Sequence, residues 1–207
     1  MDVLKTLLIV LLVAASAGAE SLSDLDTQLK RDPHNAPAFY RRASLYFRRG
    51  NLDAAILDAS RSISNRPDRP QAYLLRGHAY WKMGRLEAAG QDFAWARQAD
   101  PEAVSPFLFY YLSKREAGAP VQDELKRFAE GRDDPALLML LNRIPPQAYL
   151  STVQMTETDR AHLASAEAQA HFIIGHYYRL LGREKIAKAE LAGLMPVDFI
   201  WAQELRW

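Results

Sequence analysis

The sequence predicts an all-α chain of stacked helical hairpins, on two observations. The first is self-similarity at a period of 34: Phe39 and Tyr73, Tyr46 and Tyr80, Gly50 and Gly84, Leu52 and Leu86, Ala55 and Ala89, and Pro67 and Pro101 each stand 34 residues apart. The phase runs back from Pro67 to Pro33 and forward from Tyr73 to Phe107 and from Gly84 to Gly118. The second is the spacing inside each unit. Phe39, Ala43 and Tyr46 fall at i, i+4 and i+7, one stripe of an α-helix. Gly50 follows as the turn, and Leu52, Ala55, Ile56, Ala59 and Ile63 form a second stripe closed by Pro67. One such pair cannot bury both of its faces, so neighbours must stack.

The elements follow in order. Residues 7–15 (LLIVLLVAA) are unbroken apolar sequence, followed by Ser16-Ala17-Gly18-Ala19. The run is short for a membrane span and right for a signal-peptide core with small residues at the cleavage site. Cleavage near Ala19 is expected, giving a periplasmic or secreted chain; the alternative is a membrane anchor from the uncleaved segment. Residues 20–35 then hold a flanking helix, and residues 36–103 hold two repeats, the second carried by Tyr73, Gly77, Tyr80, Gly84, Leu86, Ala89, Phe93 and Ala96. Residues 104–157 read as a degenerate repeat with a helical insert. Its parts are a helix over 107–118, a partner over 121–129, and an apolar, buried ALLMLL after Asp134-Pro135, where the acid caps and the proline opens a helix. Residues 158–207 form a C-terminal repeat-like unit. There Gly175, Tyr178, Gly182, Ala187 and Leu191 reproduce the spacing of Gly77, Tyr80, Gly84, Ala89 and Phe93, and Phe199, Ala202 and Leu205 form a capping stripe.

Residues 36–101 resemble two consecutive tetratricopeptide repeats, which implies a tetratricopeptide-like α-solenoid with a degenerate middle and a C-terminal repeat-like unit. Arg42 and Arg76 stand where the family more often has leucine; their stems are expected to pack while their heads reach water. The whole layout resembles the bacterial outer-membrane lipoprotein scaffolds of the NlpI-like kind, which position cell-wall hydrolases and proteases. The resemblance rests on the two repeats, FLFYYLSKREAG, an apolar insert, FIIGHYYRLLGREKIAKAEL and DFIWAQEL. Those relatives carry a lipobox cysteine, and this chain has no cysteine at all, so a lipid anchor of that kind is excluded and a soluble periplasmic form is expected.

Composition narrows the chemistry. The 207 residues carry 26 Lys+Arg and 25 Asp+Glu, a net charge of +1, without the positive field of a dedicated nucleic-acid binder. The lack of cysteine removes disulfides, thiolate metal sites and thiol nucleophiles. No nucleophile elbow, phosphate loop, dinucleotide fingerprint or H-E-x-x-H is present. His171 and His176 are five residues apart and point to different faces of a helix, one packed and one toward solvent, rather than sharing a metal. Asp133-Asp134 reads as a cap, and Glu157 and Asp159 as acids offsetting a helix dipole. No catalytic residue, metal or cofactor is expected, and the chain reads as a non-enzyme.

One constellation points to binding. Tyr40, Ser44 and Phe47, with Leu74, His78 and Trp81 in the same phase of the next unit, fall on the face that lines the concave groove of tetratricopeptide arrays. Arg48 and Lys82 flank them, with Arg41 and Arg49 nearby. The lysine and asparagine with which relatives clamp a C-terminal carboxylate are replaced here by Tyr40 and Ser44, so that specificity is not implied. An aromatic floor with basic edges suits a protein or peptide partner with apolar anchors and acidic residues; the competing reading packs these aromatics under the flanking helix or the C-terminal half. The leading function is an exported adaptor or scaffold in cell-envelope assembly or hydrolase recruitment, and the alternatives are a homodimerising self-association module and a membrane-tethered assembly factor.

Overall fold

Local chemistry starts each helix where the repeat requires it. The computed structural model describes residues 20–157 and 160–192; the leader over 1–19, Asp159 and the capping stripe of Phe199, Ala202 and Leu205 lie outside the described residues. Ser21 and Asp24 form a capping box at the start of α1 (Leu22–Arg31), each bonding the other's backbone N–H. Asn35 caps α2 (Ala36–Arg48) by accepting from Ala38 N at 2.9 Å, and Asn51 caps α3 (Leu52–Asn65). The second hairpin is α4 (Pro70–Lys82) and α5 (Leu86–Ala99). Next come α6 (Val104–Glu116), α7 (Gln122–Phe128), α8 (Pro135–Leu140), α9 (Pro146–Thr156), α10 (Arg160–Leu180) and α11 (Glu184–Leu191). Among the described residues these eleven helices account for all regular structure, with no strand.

The hairpin turns depend on glycine. Gly50 and Gly84 sit at φ +75° and +74°, a left-handed conformation that costs other residues about 1–2 kcal/mol. Each turn lets the second helix fold back on the first: α3 packs on α2 and α5 on α4, while α3 meets α4 and α5 meets α6. Close approach within the second hairpin rests on Gly77, where a Cβ would stand 2.8 Å from the Phe93 ring. The C-terminal hairpin copies this, with Gly175 beneath Leu191.

The two expected water-facing arginines are a correction. Arg42 and Arg76 do not send their heads to solvent. Each forks onto a buried aspartate of its own hairpin, Arg42 onto Asp58 and Arg76 onto Asp92. The remaining nitrogen reaches back to the preceding unit, Arg42 Nη1 to Asp26 at 2.6 Å and Arg76 Nη1 to Ser60 at 2.9 Å. Asp26 and Ser60 are themselves 34 residues apart, so α1 stands in the place of the second helix of a preceding repeat. Each guanidinium also lies over two rings of its own helix, Phe39 and Tyr46 in one hairpin, Tyr73 and Tyr80 in the next.

The later helices do not continue the stack in one direction. α6 and α7 meet through side chains: Phe107 stacks on Phe128 with ring centroids 3.8 Å apart, and Tyr111 donates to Gln122 at 2.6 Å. Asp134 caps α8 as expected, accepting from Ala136 and Leu137, and Ala136, Leu137, Met139 and Leu140 are buried. α9 then leads into α10, which returns to lie against α6, with Gln169 donating to Ser105 at 2.7 Å. One continuous core runs from α2 to α11, and a smaller cluster of Leu25, Leu29, Ala38 and Phe39 seats α1.

Candidate partner-binding site

The side chains predicted to line an open groove are mostly covered. Tyr40, Ser44, Phe47, Leu74, His78 and Trp81 are buried, while Arg48 and Lys82 are exposed. This corrects the expectation of an open aromatic floor at the second hairpin. The physical reason is α10: Phe172 lies 5.2 Å from Trp81 and 5.7 Å from His78, ring centroid to centroid, and His176 lies 4.3 Å from Trp81. Phe172 and His176 stand 98 residues after Leu74 and His78, at the same repeat position. The concave phases of the two hairpins therefore face each other, and each covers the other's aromatic side chains.

Polar groups inside this contact are tied together. Glu116, at the end of α6, accepts from Trp81 Nε1 at 2.7 Å and pairs with His176 Nδ1, with Arg179 Nη1 at 3.6 Å. Glu116 and His176 are both nearly closed to solvent. Burial pushes Glu116 up, but His176, Trp81 and Arg179 outweigh it and hold the carboxyl below its ordinary range. Burial lowers His176 despite Glu116. His78, enclosed by Phe93, Phe109 and Phe172, is pushed down to about 3 by burial and then by His176, so its imidazole is neutral at pH 7. The other histidine of that helix, His171, faces Glu190 at 2.7 Å and is half-buried rather than directed to open water.

A cavity remains where the hairpins meet. It measures about 210 Å3 and is lined by His78, Trp81 and Lys82 of α4, by Phe172, His176 and Arg179 of α10, and by Leu191. Of the predicted groove residues, the fold thus brings His78, Trp81 and Lys82 to one cavity, with Phe47 next to it under Lys82 Nζ at 5.7 Å from the ring centroid. Tyr40, Ser44, Leu74 and Arg48 do not line it. Sequence reasoning missed Phe172, His176 and Arg179, although the repeat phase of residues 172–191 was a signal for them. Among the described residues no three His, Asp or Glu side chains gather as a metal site, and no helix is long and apolar enough to cross a membrane.

The close packing of Gly77 under Phe93, beside this site, lies in a segment with a known signature. Residues 70–101 match the tetratricopeptide repeat family. No curated protein matches the chain. Among solved structures it is similar to MamA, at 14% identity and a TM-score of 0.48, covering 89% of this chain and 89% of that one. It is also similar to YrrB, described as a TPR protein with an unusual peptide-binding site, at 17% identity and a TM-score of 0.47, covering 88% of this chain and 98% of that one. The tetratricopeptide hairpin is an interaction scaffold, whose fixed helices present variable side chains on a concave face.

Proposed function

We propose that this chain is an exported, non-enzymatic adaptor that holds a protein or peptide partner at the cavity between its second tetratricopeptide hairpin and its C-terminal hairpin. The observation that carries the reading is the convergence of His78, Trp81 and Lys82 with Phe172, His176, Arg179 and Leu191 around one cavity of about 210 Å3. A cavity of ~150 Å3 is large enough for a benzene ring, so this one admits a single bulky apolar anchor. Lys82 and Arg179 supply cations beside that anchor, which favours a partner carrying a neighbouring carboxylate. The apolar leader over 7–15, followed by small residues, supports export. The likeness of the layout to envelope scaffold lipoproteins supports a cell-wall hydrolase or protease as the partner, met in soluble form because no cysteine is present to be lipidated.

The test places a photocrosslinking amino acid at Lys82 in the full chain, expressed with its own N-terminus in a Gram-negative host. Mass spectrometry of the purified protein reads the N-terminal residue, and mass spectrometry of the crosslinked products reads the partner. A chain beginning at residue 20 and a partner lost on Arg179→Glu, with the helical circular dichroism retained, is the expected result. Crosslinks only to a second copy would replace the adaptor reading with self-association. No crosslinked product would overturn it.

A further inference from the structure

The insert that breaks the 34-residue rhythm carries a second concavity. Gly118 and Gly182 stand 64 residues apart, 30 more than one period, and extra residues in a repeat array form loops on one face that is often a binding face. Here they enclose a cavity of about 520 Å3 between the end of α7 and the turn after α8. Four cations line it, Lys126, Arg127, Arg132 and Arg143, against two acids, Glu130 and Asp133, over an apolar floor of Ala129 and Leu141. Two of these cations are paired with acids outside the lining, Lys126 with Asp123 and Arg132 with Glu102, which leaves Arg127 and Arg143.

The backbone that presents these cations is fixed by two left-handed turns. Gly131, at φ +71°, turns the chain after α7 and delivers Arg132, whose guanidinium lies 4.4 Å from the Phe128 ring centroid and pairs with Glu102. Asn142, at φ +57°, ends α8; its side-chain oxygen accepts from Tyr177 at 2.6 Å, and Arg143 N donates to Leu138 O at 2.8 Å. The Asn142 conformation is uncommon without glycine, and the bond from α10 holds it. Lys126 pairs with Asp123 at 3.0 Å. Arg127 and Arg143 are exposed and make no ion pair among the described residues, so two forked donors are left facing one cavity.

We propose that this cavity is a recognition site for a short peptide segment carrying carboxylates among apolar residues, with Arg127 and Arg143 gripping the carboxylates. Forked guanidinium–carboxylate bonding supplies the geometry. A peptide is favoured over a membrane surface because the site is concave with an apolar floor, and because Glu130 and Asp133 would oppose a uniformly anionic sheet while accepting from peptide N–H groups. The site is separate from the cavity at Lys82 and stands or falls independently of the adaptor reading.

The test titrates the full chain into a fluorescein-labelled peptide in which two glutamates alternate with leucines, and follows anisotropy. Binding by the wild type is expected, weakened at least about tenfold by Arg127→Ala/Arg143→Ala and weakened again between about 50 and about 200 mM salt, where screening grows. Lys82→Glu should leave this binding unchanged, which separates it from the other cavity. Both arginines are exposed, so the double variant keeps its fold, and circular dichroism verifies this. No binding, equal binding by the double variant, or stronger retention on phosphatidylglycerol vesicles than on the peptide would each overturn the proposal.

Discussion

Arg42 grips Asp58 with two nitrogens at once, Nε at 2.6 Å and Nη2 at 2.9 Å, and Arg76 grips Asp92 in the same fork, at 2.8 Å from each nitrogen. In both hairpins the acid lies sixteen residues after the base, inside the packed face. Asp58 is only 2% exposed, so its charge cannot fall back on water when Arg42 is removed, whereas Arg42 keeps Asp26 when Asp58 is removed. Arg42→Leu, which leaves the buried Asp58 carboxylate without its fork, is expected to lower unfolding free energy by about 3 kcal/mol, read from urea denaturation. Arg42→Leu/Asp58→Ala, which removes both charges and restores an apolar residue at the arginine position, should recover about half of that. A double variant as unstable as the single one would show that the ion pair is not the cause.

Gly77 and Phe93 make a second, tighter test of the hairpin. A Cβ at Gly77 would fall 2.8 Å from the Phe93 ring, and the ring has no room to withdraw because His78 and Phe109 are against it. Gly77→Ala should cost about 1–3 kcal/mol. Phe93→Leu in the same chain should relieve part of the cost, since it removes the ring atoms Cε1 and Cζ that the new methyl would meet at 2.8 and 3.1 Å.

Stability should fall as the solution is acidified. An unfolded histidine takes up a proton near pH 6.5, whereas folded His78, held down to about 3 by burial and by His176, does not. The unfolded state therefore binds more protons between those values, and the contribution present above pH 6.5 is lost on the way down. His176, also lowered, acts in the same direction. Glu116, held below its ordinary value, adds a further loss below about pH 4.5. Urea midpoints measured from pH 7.5 to pH 5 should decline steadily, and His78→Leu should flatten the decline. A level wild-type profile would contradict the neutral, buried state of His78.

Two tryptophans should behave oppositely. Trp81 is buried between α4, α6 and α10, so Trp81→Ala should cost about 4 kcal/mol. Trp95 is 56% exposed and stacks on Tyr73 at 6.1 Å, so Trp95→Ala should cost less than about 1 kcal/mol. Thermal unfolding followed by circular dichroism separates the two.

The hairpins were legible in the sequence because their determinants are local and repeated: a glycine forced into a left-handed turn, a small residue under a large one, a proline after each unit. The Arg42–Asp58 fork was legible in principle, since the same base and acid recur sixteen residues apart in both repeats, but a substitution against the family pattern draws attention to the arginine and not to its distant partner. The state of the groove was harder. Helical phase tells which side of α4 carries His78 and Trp81, but not what comes to lie on that side. The answer, α10, arrives about ninety residues later through an insert with no period of its own. Arg127 and Arg143 escaped for a similar reason, because they share a cavity only through two turns whose mutual placement depends on α10 and Tyr177.

The return of α10 has a consequence for how the molecule assembles. Contacts within each hairpin join near neighbours in the chain, whereas Gln169 reaches Ser105 across 64 positions and His176 reaches Glu116 across 60. Closing such long loops carries an entropic cost that local helix pairing does not, and contacts of this kind form late. The early hairpins can build as they leave the ribosome, while the face bearing His78, Trp81 and Phe109 waits for the last quarter of the chain. A nascent or truncated molecule thus displays a sticky aromatic surface that the finished one hides. Until synthesis is complete, that surface is open to a chaperone or to another copy.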